Sequence, residues 1–235
     1  MITSILFSES SPNLGGQELQ LLQQMQTLNA RGIKTHLLCR ADARIAARAK
    51  LLGLAMTAIP FRNSIHFPSI WQVRKCLVKL RPDALICHSG HDTNICSLAV
   101  RLVNNRPIIL RSRTYQPGTP SAFSYNHLVD MTMVPSEALR GQILANHRIR
   151  PEGIRVVYPG IAFEVIKAAE ATLLPSELMS WLASHPGPLL AHIAMLRGEK
   201  GHLFLLEVIN NLRARFPQIR CVMAGEGEMH FSVEK

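Results

Sequence analysis

Short apolar runs alternate with segments of helical period along almost the whole chain, and this alternation constrains the fold more than any other feature. Ile2 to Phe7, Ile33 to Leu38, Met56 to Ile59, Ala84 to Cys87, Ile108 to Leu110, Met131 to Val134 and Ile154 to Tyr158 read as strands. Between them, Gly15-Gly16-Gln17-Glu18 opens a helix whose Leu21, Leu22, Met25 and Leu28 share one face before Gly32 stops it. Ala43 to Leu52, Pro68 to Leu80, the segment bearing Ile95, Leu98, Ala99 and Leu102, and the run from the Ser136 N-cap to about Asn146 are helical by the same period. Strands joined through helices pair in parallel and need cover on both faces, so the chain is predicted to be α/β. Residues 1–165 form the expected N-terminal domain. Ala162 to Pro188, with a helix over Ser176 to Ala183, reads as a connector. Leu189 to Ala194, a helix from His202 and Ile219 to Ala224 then begin a second sheet within 166–235. That stretch is shorter than the roughly 100 to 150 residues of an ordinary domain, so the second domain is expected to be incomplete.

Composition narrows the partners. The 235 residues, 47% of them hydrophobic, support a large core, and no apolar run approaches the roughly 20 residues of a membrane span. The N-terminus lacks the basic start and long apolar run of a signal peptide, and Cys39, Cys76, Cys87, Cys96 and Cys221 form no CxxC or zinc spacing. A cytoplasmic protein is expected. A net charge of +10 favours an anionic partner: nucleic acid, a phosphorylated substrate or an anionic membrane. Aromatics are 6% and scattered, which argues against nucleic acid.

Four motifs fall at predicted carboxyl ends of strands, where open parallel sheets bind ligands: Gly15-Gly16, His88 to Asp92, Arg197 to Gly201, and Gly225 to Glu228. Arg197-Gly198-Glu199-Lys200-Gly201 before a helix offers backbone N–H groups, a positive dipole end and two cations to a phosphate or diphosphate. Read plainly, Arg197 and Lys200 are solvated loop charges and Gly15-Gly16 an ordinary turn. His88, just past Cys87, is either a satisfied core histidine or an acid, base or sugar contact. Arg111 and Arg113 flank Ser112 at another strand end, as a solvated pair or as contacts to an acceptor anion. His88, His91 and Asp92 have no matching ligand cluster elsewhere, and no Asp-x-Asp exists, so no metal is expected. A nicotinamide oxidoreductase is disfavoured because no GxGxxG follows any strand.

Gly15-Gly16-Gln17-Glu18 with Arg31-Gly32, Asp83 to His88, Val134-Pro135-Ser136-Glu137, Tyr158-Pro159-Gly160-Ile161, Glu199-Lys200-Gly201 and Ala224-Gly225-Glu226-Gly227 stand in one order and spacing. The set resembles the family-4 type retaining glycosyltransferases of the GT-B fold, many of which build bacterial lipopolysaccharide or other envelope glycans. The resemblance spans the whole chain. It implies two Rossmann-like domains, an N-terminal one for the acceptor and a C-terminal one for a nucleoside-diphosphate sugar, which is a substrate and not a cofactor, without a metal. By position, Gly15 and Gly16 resemble the glycine turn near the donor diphosphate, with Gly201, Gly225, Glu226 and Gly227 also on the donor side. His88 resembles the histidine that touches the transferred sugar, and Lys200, with Arg197, the cations that neutralise the leaving diphosphate. Glu18, His91, Arg111 and Arg113 would meet a glycan or glycolipid acceptor.

The pattern departs at Met195, where the family often has arginine, at Ile86, where a first histidine is common, and at Ala162, where an aspartate commonly follows. The family's paired glutamates would lie past Lys235, so this chain is expected to be inactive alone. Arg101, Arg106, Arg111, Arg113, Arg140 and Arg148 suggest peripheral docking at the inner face of an anionic membrane. A reading from another class, a non-catalytic remnant or anion-binding module, stands beside the enzyme.

Overall fold

A computed structural model of the chain describes residues 2–161, 163–170, 172–184, 187–225 and 227. They divide into two compact units, Met1–Gly160 and Ile161–Lys235. In chain order the first unit contains β1 (Ser4–Glu9), α1 (Gly16–Ala30), β2 (Lys34–Cys39), α2 (Arg44–Leu51), β3 (Met56–Ala58), α3 (Phe67–Leu80) and β4 (Ala84–Cys87). It continues through α4 (Gly90–Val100), β5 (Ile108–Ser112), α5 (Ala122–His127), β6 (Met131–Val134), α6 (Glu137–Leu144) and β7 (Ile154–Val156).

The strands form one parallel sheet in the order β3-β2-β1-β4-β5-β6-β7. The chain winds outward from β1 to β3, returns to lay β4 on the other flank of β1, and winds outward again. Its topological switch point therefore lies between β1 and β4. Alternation along the strands covers both faces. Ile5, Phe7, Leu37 and Cys39 pack with Leu21, Leu22 and Met25 of α1 and Ile45, Ala46 and Ala49 of α2. Leu6, Leu38, Leu85, Cys87 and Ile109 pack with Ile70, Val73 and Leu77 of α3 and Ile95, Cys96 and Ala99 of α4. Each large side chain fully buried this way contributes about 1.5–3 kcal/mol relative to exposure. A third cluster, Tyr125, Val134, Leu139, Ile143, Ile149 and Ile154, closes the β6–β7 end.

Several elements differ from the sequence reading. Helix α5 was not expected, because its six residues, Ala-Phe-Ser-Tyr-Asn-His, bury only Tyr125 and so show no apolar period. Helix α4 begins at Gly90, placing His91 and Asp92 on its first turn and not in a loop. Strand β5 runs through Arg111 to Ser112, so Arg111 lies inside the strand.

The second unit holds α7 (Phe163–Glu170), α8 (Ser176–Ser184), β8 (Leu189–Ile193), a 3-10 turn (Gly198–Lys200), α9 (His202–Leu212) and β9 (Arg220–Ala224). Helix α7 lies where only connector was expected, and none of its described residues is buried, which explains its weak sequence signal. Strands β8 and β9 pair in parallel from Leu189↔Arg220 to Ile193↔Ala224.

Candidate active site

At the switch point the ends of β1 and β4 carry polar groups out of an apolar interior. Ser8, Glu9 and Asp92 are 0% exposed and His88 is 5% exposed. Asp92 is the third residue of α4 behind the Ser89 N-cap, so its Oδ1 accepts from the Ser89 and Thr93 amides, both at 2.8 Å. Its Oδ2 accepts from the Ser8 hydroxyl at 2.7 Å and the His88 amide at 3.2 Å. Glu9 accepts from the Ser89 hydroxyl and from the Ser11 amide (2.8 Å) on Oε1, and from Gln17 Nε2 (2.6 Å) on Oε2. One buried carboxylate thus ties together the loop after β1, the first turn of α1 and the N-cap of α4.

This frame orients His88. Its Nδ1 lies 3.1 Å from the Ser8 carbonyl, which requires the proton on Nδ1 and leaves the Nε2 lone pair free. The ring stacks on Phe7, with centroids 6.1 Å apart and planes 26° from parallel. Burial lowers the His88 pKa, opposed by the negative field of Glu9, the Ser8 carbonyl and Glu18. A neutral imidazole with an acceptor at Nε2 suits a substrate hydroxyl. Burial and then the neighbouring charge of Glu9 push Asp92 up to about 8, against the hydrogen bonds it accepts.

The structure brings Gly15, Gly16, Glu18, His88 and His91 to the same carboxyl edge and gives several of them local duties. Glu18 is mostly buried and completes the α1 capping box, taking the Gly15 amide at 2.7 Å. Gly16 has open space where a Cβ would stand. His91 is exposed, with Nδ1 2.7 Å from Ser64 Oγ.

Arg111 does not sit where an acceptor anion could reach it freely. It is 4% exposed, its Nη2 donates to the Ser124 hydroxyl (2.7 Å) and carbonyl (3.2 Å), and its Cζ lies 4.8 Å from the centre of the Tyr125 ring. Arg111 therefore holds α5 against β5, because the inward phase of the strand carries it into the core. Arg113 is half-buried, and its Nε has no hydrogen-bond partner among the described residues. Sequence reasoning missed Glu9 and Ser8. The signal was there in Ser8-Glu9-Ser10, a polar triplet directly after the apolar run Ile5-Leu6-Phe7.

The second unit carries the other motifs, described by themselves. Lys200 is exposed at the end of the 3-10 turn, and Arg197 Nη1 lies 3.9 Å from Glu199 Oε1. Gly201 adopts a left-handed conformation (φ 70°, ψ 25°) that turns the chain into α9, a shape few other residues take. Gly225 and Gly227 have a packing reason for being glycine: a Cβ at either would collide with the carbonyls of Ala194 or Leu196. Glu226 lies outside the described residues. His202, 1% exposed, meets His192 edge to face at 4.5 Å between ring centroids.

The fold defines the class: a doubly wound parallel sheet of the GT-B type, with Ser8, Glu9, His88 and Asp92 gathered at the switch point. The model of glycosyltransferase family 4 matches residues 14–165, and the chain belongs to that family. No curated protein matches the chain by sequence. Among solved structures, a glycosyltransferase from Rickettsia africae superposes with a TM-score of 0.79 at 18% identity, covering 99% of this chain and 63% of that one. The HepE protein of Anabaena, in complex with UDP and glucose, gives 0.74 at 16% identity, with coverage of 99% and 63%. The lipopolysaccharide outer core galactosyltransferase WaaB, in its apo form, gives 0.62 at 14% identity, with coverage of 98% and 63%. The chain thus spans about 63% of the length of these relatives.

Proposed function

We propose that the chain forms the acceptor-side domain and the start of the donor-side domain of a retaining, metal-independent glycosyltransferase. It takes a sugar from a nucleoside diphosphate and passes it to an envelope glycan or glycolipid, working in the cytoplasm at an anionic membrane face. The observation that carries this reading is His88: a neutral imidazole at the sheet switch point, locked by the Ser8 carbonyl, with Nε2 unpartnered among the described residues. UDP and glucose together in the HepE structure, and the outer-core activity in the name of WaaB, support the donor and acceptor classes.

In this reading Nε2 of His88 accepts a hydroxyl of the transferred sugar and so orients its anomeric carbon. The α1 N-terminus, opened by Gly15 and Gly16, lends positive potential to the departing diphosphate. Lys200, with Arg197, supplies the cationic stabilisation that a leaving diphosphate needs as charge develops. His91 and Arg113 remain candidates for the acceptor. The 235 residues alone are expected not to turn over, since they span 63% of their relatives.

The test is acceptor-dependent release of nucleoside diphosphate from a panel of nucleoside-diphosphate sugars. It uses this chain and a version extended to the length of its relatives. Release by the extended protein only is expected; release by neither with any donor defeats the reading. In the extended protein, Lys200→Ala should lower transfer at saturating donor by at least about tenfold with little change in melting temperature. Unchanged turnover removes Lys200 from the site.

A further inference from the structure

From Ala43 to Pro82 the chain contains eight Lys and Arg residues and no Asp or Glu. The flanking acids are already occupied. Asp42 pairs with Arg40 at 2.7 Å, and Asp83 accepts from the Thr3 and Ser4 amides at 2.7 and 3.0 Å. Within this acid-free stretch, α3 buries Ser69, Ile70, Val73 and Leu77 and turns its opposite face outward. That outer face is not the polar one expected of a surface helix. Phe67, Trp71, Lys75 and Val78 follow at i, i+4, i+8 and i+11, within about 80° of one another at 100° per residue.

Phe67 is 76% exposed, Trp71 52%, and Val78 and Lys75 are also exposed. Exposed Ile65 precedes the helix, and Leu102 is exposed beside it. Arg74 ties α3 to the turn after α4: its Nε donates to the Leu102 carbonyl at 3.0 Å, and its Cζ lies 4.8 Å from the centre of the Trp71 ring. The tryptophan is therefore held in place by a stacked cation, not left as a loose surface side chain.

We propose that this face of α3 is an interfacial docking surface for an anionic lipid bilayer. Phe67, Trp71 and Val78 would enter the headgroup boundary while the exposed Lys75 and Lys79 meet lipid phosphates. An aromatic at the headgroup level, apolar neighbours on the same helical stripe, and cations beside it without acids are the chemistry of a helix lying on a membrane. A nucleic acid would want several stackable aromatics along a groove, and here they stand on one convex stripe. An acidic protein partner would want the cations but has no use for the exposed Phe67 and Trp71 in such company.

Four of the six arginines expected from sequence to dock are engaged elsewhere. Arg111 is buried, Arg106 pairs with Asp130, Arg101 caps carbonyls of Ser97 and His127, and Arg140 reaches Glu137 and the Ile154 carbonyl. The stripe also begins at the active-site edge, since Ser64, just before α3, hydrogen-bonds His91 on α4. Docking there would present the switch point to a headgroup. In purpose this rests on the glycolipid reading above; as a binding event it does not.

The test uses the 235-residue chain and vesicles free of donor and acceptor, so that loss of transferase activity cannot decide it. In a Trp181→Phe background, Trp71 is the remaining tryptophan. Its emission should shift blue with vesicles of phosphatidylglycerol and phosphatidylethanolamine, and brominated acyl chains should quench it. Phosphatidylcholine vesicles should do neither. In the unsubstituted chain, Trp71→Ala and Lys75→Glu should each weaken co-sedimentation at least about tenfold while leaving the circular dichroism melt unchanged, and Arg148→Glu should leave binding as it was. Equal binding to neutral vesicles, no effect of Trp71→Ala and Lys75→Glu, or a loss with Arg148→Glu matching theirs would overturn the proposal. So would a lipid-free dimer, or a complex with RNA, that Trp71→Ala abolishes and lipid does not compete.

Discussion

Burial acts on His88 and Asp92 with opposite signs for proton uptake, because it disfavours the charged form of each. Asp92 is raised from 3.8 to about 8, so it contributes stability that is complete below about pH 4 and lost as pH rises through 8. His88 is lowered from 6.5, so it costs stability as pH falls below 6.5, where the unfolded chain takes the proton first. Between pH 6.5 and 8 Asp92 dominates the pair, and the first unit should lose up to about 2 kcal/mol over that interval. Asp92→Asn keeps an acceptor for the α4 amides without the titration and should flatten the curve of melting temperature against pH. A wild-type curve already flat there would contradict the assignment. His88 also turns out to be more of a packing residue than its place at a strand end suggests. His88→Ala should cost about 1–3 kcal/mol, through lost contact with Phe7 and an unpaired Ser8 carbonyl. His88→Gln fills more of the space, so it should melt within about 1 kcal/mol of the parent yet lower transfer at least tenfold in the extended enzyme. If it transfers normally, the imidazole belongs to the core alone.

At the scale of elements, legibility followed burial. Strands β1, β2 and β4 are covered on both faces and carry the apolar runs Ile5 to Phe7, Leu37 to Cys39 and Ala84 to Cys87, and α1 and α3 bury one stripe each and show its period. Helices α5 and α7 bury one described residue or none and left no period to read. The position of a candidate residue was legible where a motif coincides with a strand end, as at His88 just past β4. Its role was illegible where a side chain's duty depends on what packs over it: Glu9 as the tie between two helix starts, Arg111 as a buried brace, Glu18 as a capping residue. Gly225 and Gly227 stand on the donor side in the sequence reading, and their backbones are also pressed on the carbonyls after β8. Gly225→Ala should therefore destabilise the β8–β9 pairing even without any ligand. Faster amide hydrogen exchange over Leu189–Ile193 would show it; unchanged exchange would return Gly225 to a purely ligand-facing role.

Across the whole molecule, the first unit has its own three hydrophobic clusters and a seven-stranded sheet, so residues 1–160 should fold cooperatively by themselves. Coincident fluorescence and circular dichroism transitions in urea would bear this out, and a broad, non-coincident melt would not. Residues 1–80, in contrast, should remain unfolded, because β1 would have only one of its two neighbours. That central position has a consequence for synthesis. The strand made first is flanked by β2 on one side and by β4 on the other, with Ile5 opposite Ala84. At roughly 5–20 residues per second, several seconds separate the emergence of the two strands from the ribosome. Throughout that interval one edge of β1 is an unpaired row of amides and carbonyls beside bare Leu6 and Phe7, the kind of surface that recruits another nascent chain. Output of soluble protein should therefore depend on how quickly translation delivers Asp83 to Cys87, and on whether a holding chaperone covers Ile5 to Phe7 until it does.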